Sequence, residues 1–131
     1  QAHALKEYGR NIGMAFQVVD DLLDVSGEAE VVGKPVGNDL AAGIVTLPVI
    51  YLLQREGMRE RVASILGEGP ASSDRVRAVL ELVRSNGAIE YSRQVAVRFA
   101  RKAQEHLLAL PDCEGRDLLA RIADELLERA Y

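Results

Sequence analysis

Apolar residues recur every three to four positions along most of the chain, and this spacing predicts helices rather than strands. The first helix is expected to run from Ala2 to Ser26, because Gly27 follows it as a helix-ending residue. A loop from Gly27 to Asp39 should lead into a second helix that reaches Glu56. Pro48 should bend that second helix, since proline removes one backbone donor from a helix interior.

The rest of the chain continues the helical pattern. Further helices are predicted at Arg59–Leu66, from the start signal Ser72–Asp74 to Asn86, along the apolar stripe Ile89–Leu110, and around Leu119–Leu126. No internal repeat and no low-complexity tract interrupts this pattern. We therefore expect a single all-α domain over residues 1–131, folded as a helical bundle.

Three aspartates stand close together near the end of the first predicted helix. At about 100° per residue, Asp20 and Asp24 point within roughly 40° of each other, and Asp21 lies about 100° from Asp20. Gln17 falls in the same sector one turn earlier. Because most other positions of the helix are apolar, we expect this narrow polar stripe to line a cavity between helices.

Folding alone does not favour such a cluster of carboxylates. Like charges one helical turn apart repel by a few tenths of a kcal/mol per exposed pair, and the negative end of the helix dipole adds to the cost. A bound divalent cation would reverse the sign of the interaction. Ligands that are all oxygen favour Mg²⁺ over Zn²⁺. The alternative is an acidic surface patch that binds nothing.

The predicted loop adds a candidate phosphate contact. Gly33 and Gly37 let the backbone approach a ligand closely. Lys34, beside the first of them, would place a point charge on a phosphate group. Asp39 would either support the metal from outside its direct ligands or cap the helix that follows.

Charge and composition narrow the classes of partner. The net charge of −4 gives little electrostatic support for binding nucleic acid. The longest uncharged run, Leu40–Leu53, is shorter than the roughly 20 residues that a membrane helix needs. The single cysteine, Cys113, excludes an internal disulfide and fits a reducing cytoplasm. The chain begins at Gln1 within an already helical pattern, so we expect a piece of a longer polypeptide.

Three blocks of residues, in order along the chain, resemble the second signature of the trans-isoprenyl diphosphate synthases, the polyprenyl synthetase family. These blocks are Phe16-Gln17-x-x-Asp20-Asp21-x-x-Asp24, Gly33-Lys34-Pro-x-Gly37-x-Asp39-Leu40 and Thr46-Leu47-Pro48. One position departs from the farnesyl-type pattern, because Ile44 stands where that pattern often has lysine. The resemblance implies an all-α helical bundle that forms the C-terminal portion of the isoprenoid synthase fold.

The resemblance also implies a reaction and roles for the residues. In a trans-prenyltransferase the diphosphate of an allylic substrate leaves, and the double bond of isopentenyl diphosphate attacks the allylic cation. Mg²⁺ neutralises the leaving group. The implied catalytic metal ligands are Asp20, Asp21 and Asp24, with Asp39 supporting the metal and with Lys34 and Gln17 binding the substrate.

The family's first aspartate-rich motif is absent from these 131 residues. The chain alone is therefore expected to have no prenyl transfer activity. The resemblance further implies a homo-oligomer. Two alternatives stay open, a non-catalytic regulatory or interaction subunit derived from the same family and a terpene cyclase-like enzyme.

Overall fold

The computed structural model describes residues 1–26, 37–68 and 72–131. All regular secondary structure in these residues is helical, which confirms the predicted all-α class. The helices are α1 (Ala2–Ser26), α2 (Asn38–Ala41), α3 (Leu47–Gln54), α4 (Met58–Leu66), α5 (Ser73–Ser85), α6 (Ala88–Leu107) and α7 (Glu114–Arg129).

The chain divides into two compact units. We call Gln1–Asp20 with Arg93–Tyr131 the terminal unit, and Asp21–Ser92 the central unit. Helix α1 therefore contributes its first part to the terminal unit and its last turns to the central unit. The single domain expected over residues 1–131 remains a prediction.

The central unit is built around the apolar stripe of α5. Val76, Val79, Leu80 and Val83 recur at helical spacing, and each is at most 6 % exposed. They form one core cluster with residues that include Leu40 of α2. Full burial of each such side chain contributes about 1.5–3 kcal/mol. The helix begins as predicted, because the Ser72 hydroxyl accepts a hydrogen bond from the Arg75 amide at 3.4 Å.

The predicted second helix is wrong as a single bent element. Helix α2 ends at Ala41, and Gly43 follows with φ of +82°. A new helix, α3, starts after Thr46, with Pro48 in its first turn. Proline is tolerated there because the first backbone N–H groups of a helix have no partner within the helix. Pro48 therefore helps to start α3 and does not bend a longer helix.

One core cluster of the terminal unit contains Tyr8, Ala103 and Leu107. The Tyr8 hydroxyl donates a hydrogen bond of 2.7 Å to the Leu119 carbonyl oxygen. Burial raises the pKa of Tyr8 above 10.0, because the phenolate would lose its hydration. Helix α6 ends at Leu107 and not at Leu110, although Leu110 still packs against this core.

A partly buried arginine contact fixes the end of α7 in the same unit. Arg93 Nε donates a hydrogen bond of 2.7 Å to the Ala130 carbonyl oxygen. The Arg93 guanidinium carbon also lies 5.5 Å from the centre of the Tyr131 ring. Among the described residues, no helix combines the length and the apolar character needed to cross a bilayer.

Candidate metal and diphosphate site

The three aspartates of α1 differ sharply in exposure. The Asp20 side chain is 45 % exposed, whereas the residues Asp21 and Asp24 are 8 % and 1 % exposed. Two of the three carboxylates are therefore enclosed by protein. An acidic surface patch would leave all three carboxylates in solvent. Aspartates are almost never this buried unless they are paired.

Asp24 ties the end of α1 to the start of α2. Its backbone carbonyl oxygen accepts a hydrogen bond of 2.8 Å from the Gly37 amide. Its carboxylate accepts two more, from the Asn38 amide to Oδ1 at 3.1 Å and from the Asp39 amide to Oδ2 at 3.2 Å. Asp39 is thereby held beside the end of α1 through its backbone.

Gly37 explains why the cap of α2 comes from a distant residue. It precedes α2 with φ of +80°, a conformation that favours glycine, and it has no side chain that could cap the helix. A Cβ atom on Gly37 would lie 2.8 Å from Val76 Cγ1 and 2.9 Å from Leu80 Cδ1. The backbone thus passes close to α5 at this point. The Asp24 carboxylate accepts the hydrogen bonds of the first α2 amides, which Gly37 has no side chain to accept.

An arginine of α5 offsets the unfavourable position of the acidic cluster. Arg84 Nε donates a hydrogen bond of 3.1 Å to the Val25 carbonyl oxygen in the last turn of α1. A cation at this end of a helix interacts favourably with the helix dipole. Arg84 is not predicted from the sequence, because a basic residue 59 positions away carries no local signal for this contact.

Asp20 has a different neighbour, within the terminal unit. Its Oδ1 lies 4.0 Å from Arg129 Nη2 of α7. The Arg129 guanidinium carbon also lies 5.8 Å from the centre of the Phe16 ring. Phe16 itself is 50 % exposed and is not part of a closed core. Arg129 is thus a second basic neighbour of the motif that sequence reasoning missed.

An apolar groove adjoins these residues in the terminal unit. It has a volume of about 400 Å³, and its walls include Ile12, Phe16, Ile122, Leu126 and Arg129. Ile122 is 51 % exposed, so the groove is open to solvent. The acidic end of the motif therefore has apolar surface one turn before it on α1.

The remaining predicted site residues are placed as follows. Gln17 is exposed on α1, and Asp39 is partly exposed at the start of α2. Gly33 and Lys34 lie outside the described residues. Ile44, which stands where the farnesyl-type pattern often has lysine, is 54 % exposed.

The carboxylates of the motif provide the kind of donor atom that a hard divalent metal binds. Within residues 1–26, 37–68 and 72–131, no three His, Cys, Asp or Glu side chains form a group that could hold a metal ion by themselves. The available donors near the end of α1 are carboxylate oxygens, which suit a hard cation that keeps several water ligands. The donors thus fit Mg²⁺ in kind, and the assignments of Asp20, Asp21, Asp24 and Asp39 as metal ligands remain predictions.

Residues 1–83 match the polyprenyl synthetase family. The chain is 46 % identical over 130 residues to a short chain isoprenyl diphosphate synthase of Methanothermobacter thermautotrophicus, covering 98 % of this chain and 39 % of that protein. The chain thus spans about two fifths of the length of this relative.

Two solved structures resemble the fold closely. Heptaprenyl diphosphate synthase from Staphylococcus aureus superposes with a TM-score of 0.87 at 27 % identity, over 98 % of this chain and 40 % of that one. Geranylgeranyl pyrophosphate synthase from Corynebacterium glutamicum, complexed with calcium and isoprenyl diphosphate, gives a TM-score of 0.83 at 32 % identity, over 97 % and 40 %. The all-α fold is the one found in these polyprenyl synthases, and the chain belongs to the polyprenyl synthetase family.

Proposed function

We propose that this chain is the C-terminal part of a trans-prenyltransferase that condenses isopentenyl diphosphate with an allylic diphosphate. The observation that carries the proposal is the partly enclosed aspartate cluster at the end of α1, in a chain of the polyprenyl synthetase family. The relative from Corynebacterium glutamicum that is complexed with calcium and isoprenyl diphosphate supports a divalent ion and an isoprenyl diphosphate as ligands.

Asp20 and Asp21 are the proposed contacts of Mg²⁺, with Asp39 nearby as support. Bound Mg²⁺ supplies the positive charge that stabilises a departing diphosphate. Asp20 is the most accessible of the three α1 carboxylates, so it offers oxygen atoms to a hydrated ion. Gln17 and Lys34 are the proposed substrate contacts.

The groove beside the cluster suits the allylic part of a substrate. It is open to solvent in this chain, and it is lined largely by aliphatic and aromatic side chains that would contact a hydrocarbon chain. The chain supplies no first aspartate-rich motif, and so we propose that it does not transfer prenyl groups by itself.

The test is a prenyl transfer assay with labelled isopentenyl diphosphate and a series of allylic diphosphates. The complete parent polypeptide should elongate the allylic substrate, whereas the 131-residue chain alone should not. Asp20→Asn and Asp21→Asn in the parent should each lower the rate by about a hundredfold, because each removes charge that would hold the metal. The matched control is Asp117→Asn, which changes an exposed aspartate of α7 and should retain activity. Full activity of Asp20→Asn would refute the proposal, and cyclic products would redirect it to a terpene cyclase-like enzyme.

A non-catalytic interaction subunit is the second candidate, and one observation favours it. Leu5, Met14, Phe16, Leu118 and Ile122 of the terminal unit are each between 47 % and 51 % exposed. Large exposed apolar side chains of this kind are typical of surfaces that bind another protein. Under this alternative, Asp20→Asn and Asp21→Asn would leave the activity of an assembled complex unchanged.

The same apolar surface supports a homo-oligomer as a further part of the proposal. Light scattering on the purified chain should give a mass above that of one copy, and a monomer at all concentrations would contradict it. The proposed location is the cytoplasm, which agrees with a single exposed cysteine. Fractionation of cells that express the parent polypeptide tests this.

A further inference from the structure

We infer that Asp24 is a positioning residue and not a ligand of the metal: its carboxylate caps α2 and thereby fixes Asp39 beside the end of α1. The inference deepens the proposed function and rests on it, because it divides the aspartates of one motif between two tasks. Asp20 and Asp21 keep the proposed role of cation contacts, and Asp24 holds the backbone at the start of α2.

The hydrogen bonds of Asp24 are the first argument. Both carboxylate oxygens are engaged, Oδ1 by the Asn38 amide at 3.1 Å and Oδ2 by the Asp39 amide at 3.2 Å. These amides belong to the first residues of a helix and have no acceptor within it. A carboxylate that accepts from backbone amides in this way forms charge-assisted hydrogen bonds, and the two parallel bonds also fix its orientation.

Burial is the second argument. Asp24 is 1 % exposed, whereas the Asp20 side chain is 45 % exposed. A magnesium ion usually keeps several of its water ligands when it binds a protein carboxylate. Asp24 offers almost no surface to a hydrated ion of that size, whereas Asp21, at 8 % exposed, offers a little and the Asp20 side chain offers the most.

The local sequence gives the third argument. Position 37 favours glycine, because its φ is +80° and because the Val76 and Leu80 side chains leave little room for a Cβ atom. The start of α2 therefore has no capping side chain of its own. An acceptor must come from elsewhere in the chain, and Asp24 supplies it from 14 positions before Asn38.

The two roles predict different responses to Asp24→Asn. An asparagine keeps a neutral oxygen that can accept one of the two amide hydrogen bonds, so it preserves part of a cap. It removes the negative charge and one oxygen that a metal would need. As a ligand, Asp24 would therefore tolerate neither asparagine nor alanine. As a positioning residue, it should tolerate asparagine better than alanine.

Two measurements on the 131-residue chain test the inference. The first is amide hydrogen exchange at Asn38 and Asp39 by NMR. The second is a titration with Mn²⁺ in the presence of inorganic diphosphate, followed by paramagnetic line broadening. Both are applied to the wild type and to Asp20→Asn, Asp21→Asn, Asp24→Asn and Asp24→Ala, with circular dichroism as the check on helix content.

We expect amide exchange to respond mainly to substitution of Asp24, and Mn²⁺ binding to respond mainly to substitution of Asp20. Asp24→Ala should speed exchange at both amides by about tenfold or more, the size of one lost charge-assisted hydrogen bond, and Asp24→Asn should speed it less. Asp20→Asn should leave these amides unchanged and should weaken Mn²⁺ binding by about tenfold more than Asp24→Asn does.

The inference is overturned if Asp24→Asn weakens Mn²⁺ binding as much as Asp20→Asn, or if Asp24→Ala leaves both amides protected. A different result would defeat the proposed function instead. If neither Asp20→Asn nor Asp21→Asn alters Mn²⁺ binding, or if the wild type binds none, the proposed metal site fails, and amide exchange alone then decides the role of Asp24.

Discussion

The two ends of the aspartate motif on α1 are held in different ways. Asp24, in the central unit, is buried and bound by backbone amides of α2. Asp20, in the terminal unit, is half-exposed and has the long, solvated contact with Arg129. Backbone amides cannot move away from a carboxylate without unfolding α2, whereas an exposed arginine side chain can. The comparison teaches that a motif which is uniform in sequence need not be uniform in role.

The largest effect on stability is expected from Gly37→Ala, which tests the rigid end of the motif. The added methyl group meets Val76 and Leu80 at 2.8 Å and 2.9 Å, and the backbone at φ of +80° is unfavourable for alanine. We expect the free energy of unfolding to fall by about 2–4 kcal/mol, from about 1–2 kcal/mol of left-handed strain together with overpacking.

The matched control for that change is Gly43→Ala. Gly43 has φ of +82°, but nothing lies within 4 Å of an added Cβ atom. The loss should therefore be limited to about 1–2 kcal/mol of backbone strain. Urea denaturation measures both, and equal losses would show that α5 does not press on Gly37.

Asp24→Ala should have the next largest effect, and it compares the two ends of the motif directly. It leaves two amides of α2 without their acceptor, so we expect a loss of about 2–3 kcal/mol in the free energy of unfolding. Asp20→Ala, the control at the other end, should change stability by less than about 0.5 kcal/mol, because exposed ion pairs contribute little. Similar losses of both variants in urea denaturation would show that Asp20 and Asp24 contribute equally to stability.

A smaller effect is expected at Tyr8, and it depends on pH. Burial raises the pKa of the folded-state phenol above 10.0, so the neutral form is favoured by folding. The stabilisation is fully present below the unfolded-state pKa and is lost as pH rises through the folded-state value. Denaturation midpoints should therefore fall above about pH 10 in the wild type.

Tyr8→Phe is the control for this titration. It removes the hydrogen bond to Leu119, which should cost about 1 kcal/mol at neutral pH. It should also flatten the fall in stability above about pH 10, since the titrating group is gone. An unchanged pH profile would show that burial of Tyr8 does not account for the alkaline loss.

The smallest effect on stability is expected from Arg129→Gln. Both partners of the Arg129–Asp20 contact are nearly half-exposed, so solvent screens it, and we expect a change of at most about 0.5 kcal/mol. Thermal denaturation at low and high salt measures it. A loss of the size expected for Asp24→Ala would mean that the Asp20 end of the motif is as rigid as the other.

Much of the fold could be predicted from local patterns. The bounds of α1 are those that its apolar spacing and Gly27 predict, and the Ser72 cap starts α5 as expected. The prediction of one long second helix was wrong because the effect of a proline depends on its position in a helix. A proline bends a helix when it stands in the interior, but it fits the first turn when the N-cap position lies one or two residues before it, as Thr46 does here.

The candidate site could be predicted only in part, for a related reason. The spacing of the aspartates identifies a cluster, but burial and partners depend on residues far away in sequence. Arg84 and Arg129 reach α1 from α5 and α7, and no local pattern indicates either contact. The capping role of Asp24 likewise depends on Gly37, whose confinement becomes evident only when α5 is in place.

Thermal denaturation with and without Mg²⁺ and inorganic diphosphate tests the central claim most directly, by comparing the wild type with Asp20→Asn. A ligand that binds only the folded state stabilises it, by about 2.7 kcal/mol at a free concentration of one hundred times its Kd. The account predicts that Mg²⁺ with diphosphate raises the melting temperature of the wild type clearly more than that of Asp20→Asn. An equal rise in both proteins, or none in the wild type, would contradict it.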